Sequence, residues 1–311
     1  MKNRKTEQII EAINKKYRGI GQDKDVYLEG LLHSKSMNYW DYIHTDALLS
    51  LQIQRTHFPD EMVFIGYHQI NELIFKMILW ELQQVAEASV LQVTFFTEKL
   101  MRVSRYFDIL TSSFGIMQEG MDVKQYNKFR HTLATGSGFQ SAQYRKIEFA
   151  STELINLIDP RYRETIDRDT PFEHALEHLY WQAAGKDYKT SEKSVLLTSF
   201  EARYREEFIT FMKVYNTKNL WSRYKELSEK DQVDKVLIKA MRHYDHTVNI
   251  TWVMGHYRAA KHYILSASGD GEATGGSQWQ KYMHPKYQKR IFFPELWTAK
   301  EKETWGHELE N

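Results

Sequence analysis

The chain has 311 residues, 42% of them hydrophobic and 14% aromatic, with 42 basic against 41 acidic side chains. A formal net charge of +1 leaves no basic surplus for a polyanion, so nucleic acid is not expected as a partner. The absence of cysteine excludes disulfide frameworks, zinc fingers, iron–sulfur clusters, thiolate-ligated haem and cysteine nucleophiles; a metal here would sit on histidine, carboxylate, tyrosine or methionine.

The stretch from Met1 to Lys16 is charged throughout and lacks the apolar segment of a secretory leader. The most apolar run, Glu72 to Leu82, carries Lys76 and is too short to span a bilayer. The expectation is a cytoplasmic protein with no membrane contact.

Pro59, followed by Asp60 and Glu61, reads as the start of a helix, with proline at the first turn and acids beside the positive end of the dipole. From there Phe64, Tyr67, Ile70, Ile74, Ile78, Leu79 and Leu82 recur at three and four, and the run is expected to end near Ser89. Further helices are expected from Leu91 to Phe114, from Tyr144 to Ile158, from Pro171 to Gly185, from Ser191 to Tyr215 and from Asp231 to about Ser266. No stretch sustains period-two alternation between turn residues and no internal repeat is found, so the fold class is all-α.

Glycine gathers in two places. Gly136 and Gly138 bracket Ser137, and Gly269, Gly271, Gly275 and Gly276 fall between Ser266 and Trp279. Such loops suit close backbone approach to a ligand, or are ordinary connections. A dinucleotide-loop reading of Gly269-Asp-Gly271 fails, because a helix and not a strand precedes it and the next glycine is wrongly spaced.

Three groups of side chains can carry chemistry. His174-Ala-Leu-Glu177-His178 matches H-x-x-E-H, which on a helix places two imidazoles on one face for zinc with a glutamate as base. The competing reading is a solvated helix face. Phe64 and His68 share a helix face, and Tyr126 and Arg130 are four apart, as an aromatic–guanidinium clamp for a carboxylate would be. Equally, these are a core histidine and a surface pair. Without cysteine, an axial haem ligand would be histidine, and His243, His246, His256 and His262 compete on composition alone.

Several strings become specific together. Phe64-Ile-Gly-Tyr-His68-Gln-Ile-Asn-Glu72-Leu-Ile-Phe-Lys76, Tyr126-Asn-Lys-Phe-Arg130, Ser137-Gly-Phe-Gln-Ser-Ala-Gln-Tyr-Arg145-Lys-Ile-Glu148-Phe and Thr274-Gly-Gly-Ser277 occur in one order, with Tyr39-Trp-Asp-Tyr42-Ile43 before them and Phe292-Phe293-Pro294-Glu295-Leu296 after. In this the chain resembles the tryptophan 2,3-dioxygenase family, from about Asn38 to Trp297. The resemblance implies an N-terminal arm over 1–37, one helical haem dioxygenase domain over 38–300 and a tail over 301–311. It implies haem b with His256 as the axial iron ligand, and His68 as the catalytic residue hydrogen-bonded to the indole nitrogen. Phe64 would pack on the indole, Tyr126 and Arg130 would hold the carboxylate, and Thr274 would meet the amino-acid end. Ser137 and Gly138 would lie against the haem, while Tyr39, Tyr42 and Ile43 would reach a neighbouring subunit's pocket in a homotetramer built as a dimer of dimers.

The implied reaction is oxidative cleavage of the indole C2–C3 bond of L-tryptophan by O2, giving N-formyl-L-kynurenine. The chain departs from the family pattern in a longer interval between His256 and Thr274, in Gln278-Trp279 after the glycine motif, in Ile74, and in Trp252-Val-Met-Gly-His256. A haem oxygenase acting on a modified indole or another aromatic amino acid is therefore the alternative, with a zinc hydrolase more distant.

Overall fold

A computed structural model describes residues 2–133, 138–187, 190, 192–230, 233–266 and 283–307. The chain forms two compact units, Met1–Gln52 and Ile53–Asn311. In the first, helices α1 (Lys2–Arg18) and α2 (Lys24–His33) precede two short ones, α3 (Tyr39–Ile43) and α4 (Thr45–Leu49). Asp23 caps α2 by accepting from the Asp25 amide.

The second unit is built on α5 (Asp60–Glu87), α6 (Val93–Ser112), α7 (Phe114–Glu119), α8 (Val123–Phe129) and α9 (Ala142–Ser151). These are followed by α10 (Phe172–Ala175), α11 (Val195–Tyr215), α12 (Leu220–Ser228), α13 (Lys235–His246) and α14 (Trp252–Ser266), and then by two short helices, α15 (Pro285–Gln288) and α16 (Ala299–Glu303). Among the described residues the only β pairings are isolated bridges, Ile158 with Leu179 and Lys186 with Lys193. The all-α expectation holds. No helix among the described residues is long and apolar enough to cross a membrane.

The centre of this unit is α5 packed on α6 and α9, with α13 against α6. The reason is legible in α6, where Phe96, Leu100, Val103, Phe107 and Leu110 recur at helical spacing and are each at most 1% exposed. Phe107 packs edge-on against both Tyr244 and Trp252, so it joins α6 to the helices that carry the site. Truncation in Phe107→Ala is expected to cost about 3–5 kcal/mol, read as a lower urea midpoint at unchanged slope.

The expected helix boundaries differ from the observed ones where tertiary bonds intervene. The helix expected from Tyr144 to Ile158 stops at Ser151, since Thr152 is extended (φ −147, ψ 168) and donates its hydroxyl to the Phe292 carbonyl. The segment after Pro171 is broken into short turns at Leu179, which is extended and bridged to Ile158. Between Asp231 and Ser266 the helix is interrupted by a π turn, Thr247–Thr251, that divides α13 from α14.

Candidate functional site

α5 places Phe64 and His68 one turn apart, with ring centroids 4.1 Å from each other. The His68 Nδ1 lies 2.7 Å from the Phe64 carbonyl oxygen. A carbonyl can only accept, so Nδ1 carries the proton and the neutral ring keeps its Nε2 lone pair available. Burial lowers the His68 pKa, while the Phe64 carbonyl and the charge of Glu72 act the other way. The residue is nevertheless exposed.

His256 stands in the second turn of α14. Burial and, to a smaller extent, the charge of His68 push its pKa down to about 4, which places the two imidazoles within electrostatic reach. The Phe114 ring stacks on His256 at 5.8 Å with 6° between planes, and Trp252 lies 5.9 Å away. Among the described residues no hydrogen-bond partner is found for His256, and the buried Trp252 indole nitrogen also has none. A neutral imidazole held by aromatic rings, with a nitrogen free of protein partners, has the chemistry an axial haem ligand needs on the iron side.

The glycine before it is necessary for this arrangement. A Cβ on Gly255 would come within 2.7 Å of Phe114 Cδ2 and 3.0 Å of Cε2. Gly255→Ala is expected to displace the ring that stacks on His256, lowering stability by about 1–3 kcal/mol in a thermal melt.

The clamp residues lie on the same side. Phe64 is 6.1 Å from the Tyr126 ring and 5.7 Å from that of Phe129. Tyr126 is followed one turn later by Arg130, whose guanidinium lies 6.0 Å from the Tyr126 ring. Burial raises the Tyr126 pKa against the opposing charge of Arg130, so the phenol stays protonated and can donate. Sequence reasoning missed Tyr263. Two turns beyond His256 on α14, its ring packs on Tyr126 at 4.3 Å and its hydroxyl donates to the Met117 carbonyl. The helix that carries His256 therefore also braces the clamp. The only sequence signal was a buried aromatic at heptad spacing from His256, which any core residue shares.

Other expected positions are not brought together here. Gly138 opens a short 3-10 turn, Gly138–Gln140. Ser137 and Thr274 lie outside the described residues. Tyr39, Tyr42 and Ile43 belong to the first unit, where they are 73%, 71% and 44% exposed.

The H-x-x-E-H group does not form a zinc centre. His174 and His178 are neighbours, but Glu177 is held by Lys193 at 2.5 Å and Arg205 at 2.6 Å. Among the described residues no cluster of three histidine, cysteine or acidic side chains is placed to bind a metal ion.

The chain is also similar to proteins of known family. The model of the family described as tryptophan 2,3-dioxygenase matches residues 29–268. The chain is 30% identical over 301 residues to a tryptophan 2,3-dioxygenase of Bacillus thuringiensis (strain Al Hakam), covering 90% of this chain and 99% of that one. It is 30% identical over 283 residues to one from Ruegeria sp. (strain TM1040), covering 85% of this chain and 92% of the relative. A third, from Polaromonas naphthalenivorans (strain CJ2), is 41% identical over 118 residues, 38% of this chain and 42% of the relative. The chain belongs to the tryptophan 2,3-dioxygenase family.

Proposed function

We propose that this protein is a haem-dependent dioxygenase that cleaves the indole C2–C3 bond of L-tryptophan to give N-formyl-L-kynurenine. The observation that carries the reading is His68 and His256 within electrostatic reach of each other, with the Phe64 ring, one turn before His68, 6.1 Å from Tyr126 of the Tyr126–Arg130 pair, in a chain of this family. Both oxygen atoms of O2 enter the product, the O–O and C2–C3 bonds break, and no external reductant is consumed. Haem b, when bound, supplies the ferrous iron at which dioxygen is activated.

The protein's own side chains supply orientation, polarity and exclusion of water. His256 offers an unprotonated nitrogen to the iron, and Phe114 and Trp252 fix the plane of its ring. Phe64 packs against the indole, and His68, with Nδ1–H committed to the Phe64 carbonyl, accepts the indole N–H at Nε2. Arg130 and Tyr126 bind the carboxylate, because a zwitterion entering an aromatic recess needs its charges satisfied. In the family's pattern Thr274 would meet the ammonium and carboxylate end, and Ser137 and Gly138 would lie against the haem; Thr274 and Ser137 fall outside the described residues.

The exposed Tyr39, Tyr42 and Ile43 reach the pocket of a neighbouring subunit in a homotetramer. The 1–37 arm, the 38–300 catalytic domain, the 301–311 tail and a cytoplasmic location belong to the same reading.

Reduced, haem-loaded protein mixed with L-tryptophan and O2 is expected to consume the two one for one as N-formyl-L-kynurenine accumulates. Haem-loaded protein that leaves L-tryptophan intact contradicts the reading. The pH dependence follows from His68. Its pKa is lowered by burial from 6.5, so the accepting, neutral form is present above that lowered value and is lost only as pH falls through it. The acid limb of kcat/KM is therefore expected below pH 6.5, and its absence from a pH profile of His68→Gln checks the assignment.

A further inference from the structure

The second unit buries a polar chain that the reaction does not use. Asp245, fully buried near the end of α13, accepts from the backbone amides of Phe292 at 2.9 Å and Phe293 at 3.0 Å, and from Trp297 Nε1 at 2.9 Å. Its fourth donor is Asn249 Nδ2 at 2.6 Å. The Asn249 carbonyl oxygen accepts in turn from Arg290 Nε. Arg290 continues the chain to Glu148 at 2.5 Å and to the hydroxyl of Tyr144 at 2.9 Å, and it also meets the Tyr180 hydroxyl. Arg145 lies 3.1 Å from the other Glu148 oxygen. Asp245 and Glu148 thus balance Arg145 and Arg290, all four at most 6% exposed.

What this chain holds is the π turn. Asn249 is its middle residue, and His256 follows on α14. A π turn inserts one extra residue into the helical path, and one residue is about 100° of rotation about the axis. Relaxation to an ordinary helix would turn every α14 side chain by about that angle relative to α13. An isolated π turn is the less favourable geometry, so it persists where bonds from outside the helix over-determine it. Asn249 is gripped from both sides, by Asp245 within the helix and by Arg290 from the chain 41 residues later. A second connection runs through Tyr144, which is bonded to Arg290 and stacks on Trp252 at 4.7 Å, one turn before His256.

We propose that Asp245 and Arg290, acting through Asn249, are positioning residues for His256: they hold the π turn whose extra residue sets the rotational phase of α14 and so the direction of the imidazole. This rests on the assignment of His256 as the iron ligand.

The test is the low-frequency resonance Raman band of the iron–imidazole stretch in reduced, haem-loaded protein. Asn249→Ala and Arg290→Gln are expected to shift or split the band. Tyr244→Phe is the control, because it removes a buried hydroxyl on α13 bonded to Ser151 at 2.7 Å without touching the π turn. It is expected to lower the melting temperature and leave the band in place. Asn249→Ala and Arg290→Gln bands that superimpose on the wild type overturn the proposal. Should Arg290→Gln not fold, Asn249→Ala decides alone, with Asn249→Ser in its place if needed. A wild-type protein that binds haem without this band overturns the ligand assignment instead. The positioning role is then read in haem-free protein from the His256 ring resonances, which these variants are expected to move and Tyr244→Phe is not.

Discussion

Arg130→Ala is expected to weaken L-tryptophan binding by about 2–5 kcal/mol, roughly 30-fold to several-thousand-fold in kcat/KM. The size of the effect comes from what is left behind. The substrate carboxylate, drawn in beside Phe64 and Tyr126, would keep a phenol as donor and lose its counter-charge. Because the contact is made to the ground state and the transition state alike, most of the loss is expected in KM. Arg130→Lys is expected to recover only part of it, since an ammonium offers a point charge and not a planar fork. Decarboxylated substrate gives the matching control: with tryptamine in place of L-tryptophan, wild type and Arg130→Ala are expected to differ little.

His256→Ala carries the second large effect, on the cofactor. Loss of a side chain that merely supports a ligating histidine weakens binding 10–100-fold, so removal of the ligand itself is expected to exceed about 100-fold in haem affinity. The haem-free fold should hardly notice. The imidazole makes no hydrogen bond to any described residue, and its removal relieves a desolvated nitrogen while forfeiting the stack on Phe114. The net change in unfolding free energy is expected within about 1 kcal/mol. Haem titration and chemical denaturation of the haem-free protein, run on the same preparation, separate the two effects.

Much of the scaffold is visible in the sequence because it obeys local rules. Helix α5 announces itself by Pro59, by acids in the first turn and by an apolar stripe, and it ends within two residues of the expected Ser89. The end of α9 is not local. Ser151 and Thr152 are bonded to Tyr244 and Phe292, which are 93 and 140 residues away in the chain. The π turn is hidden for the same reason: the apolar pattern of 235–266 runs on through it, and the groups that fix it arrive from Arg290 and the Phe292–Phe293 segment.

The candidate site divides in the same way. Phe64 with His68, and Tyr126 with Arg130, are pairs at helical spacing, and their order along the chain was enough to nominate them. That His68 and His256 come within electrostatic reach follows only from the packing of α14 beside α7 and α8. Tyr263 joins the site through that packing too, with no sequence signal to set it apart from an ordinary core tyrosine.

The fate of the oxygen atoms distinguishes dioxygenation of L-tryptophan from its alternatives. Haem-loaded, reduced protein is supplied with L-tryptophan under isotopically heavy dioxygen in ordinary water, and the product is weighed by mass spectrometry within the first turnovers. N-formyl-L-kynurenine carrying two heavy oxygen atoms, one on each carbon of the cleaved bond, is expected. A product carrying a single heavy atom, with the second drawn from water, or an indole ring left closed, would contradict it.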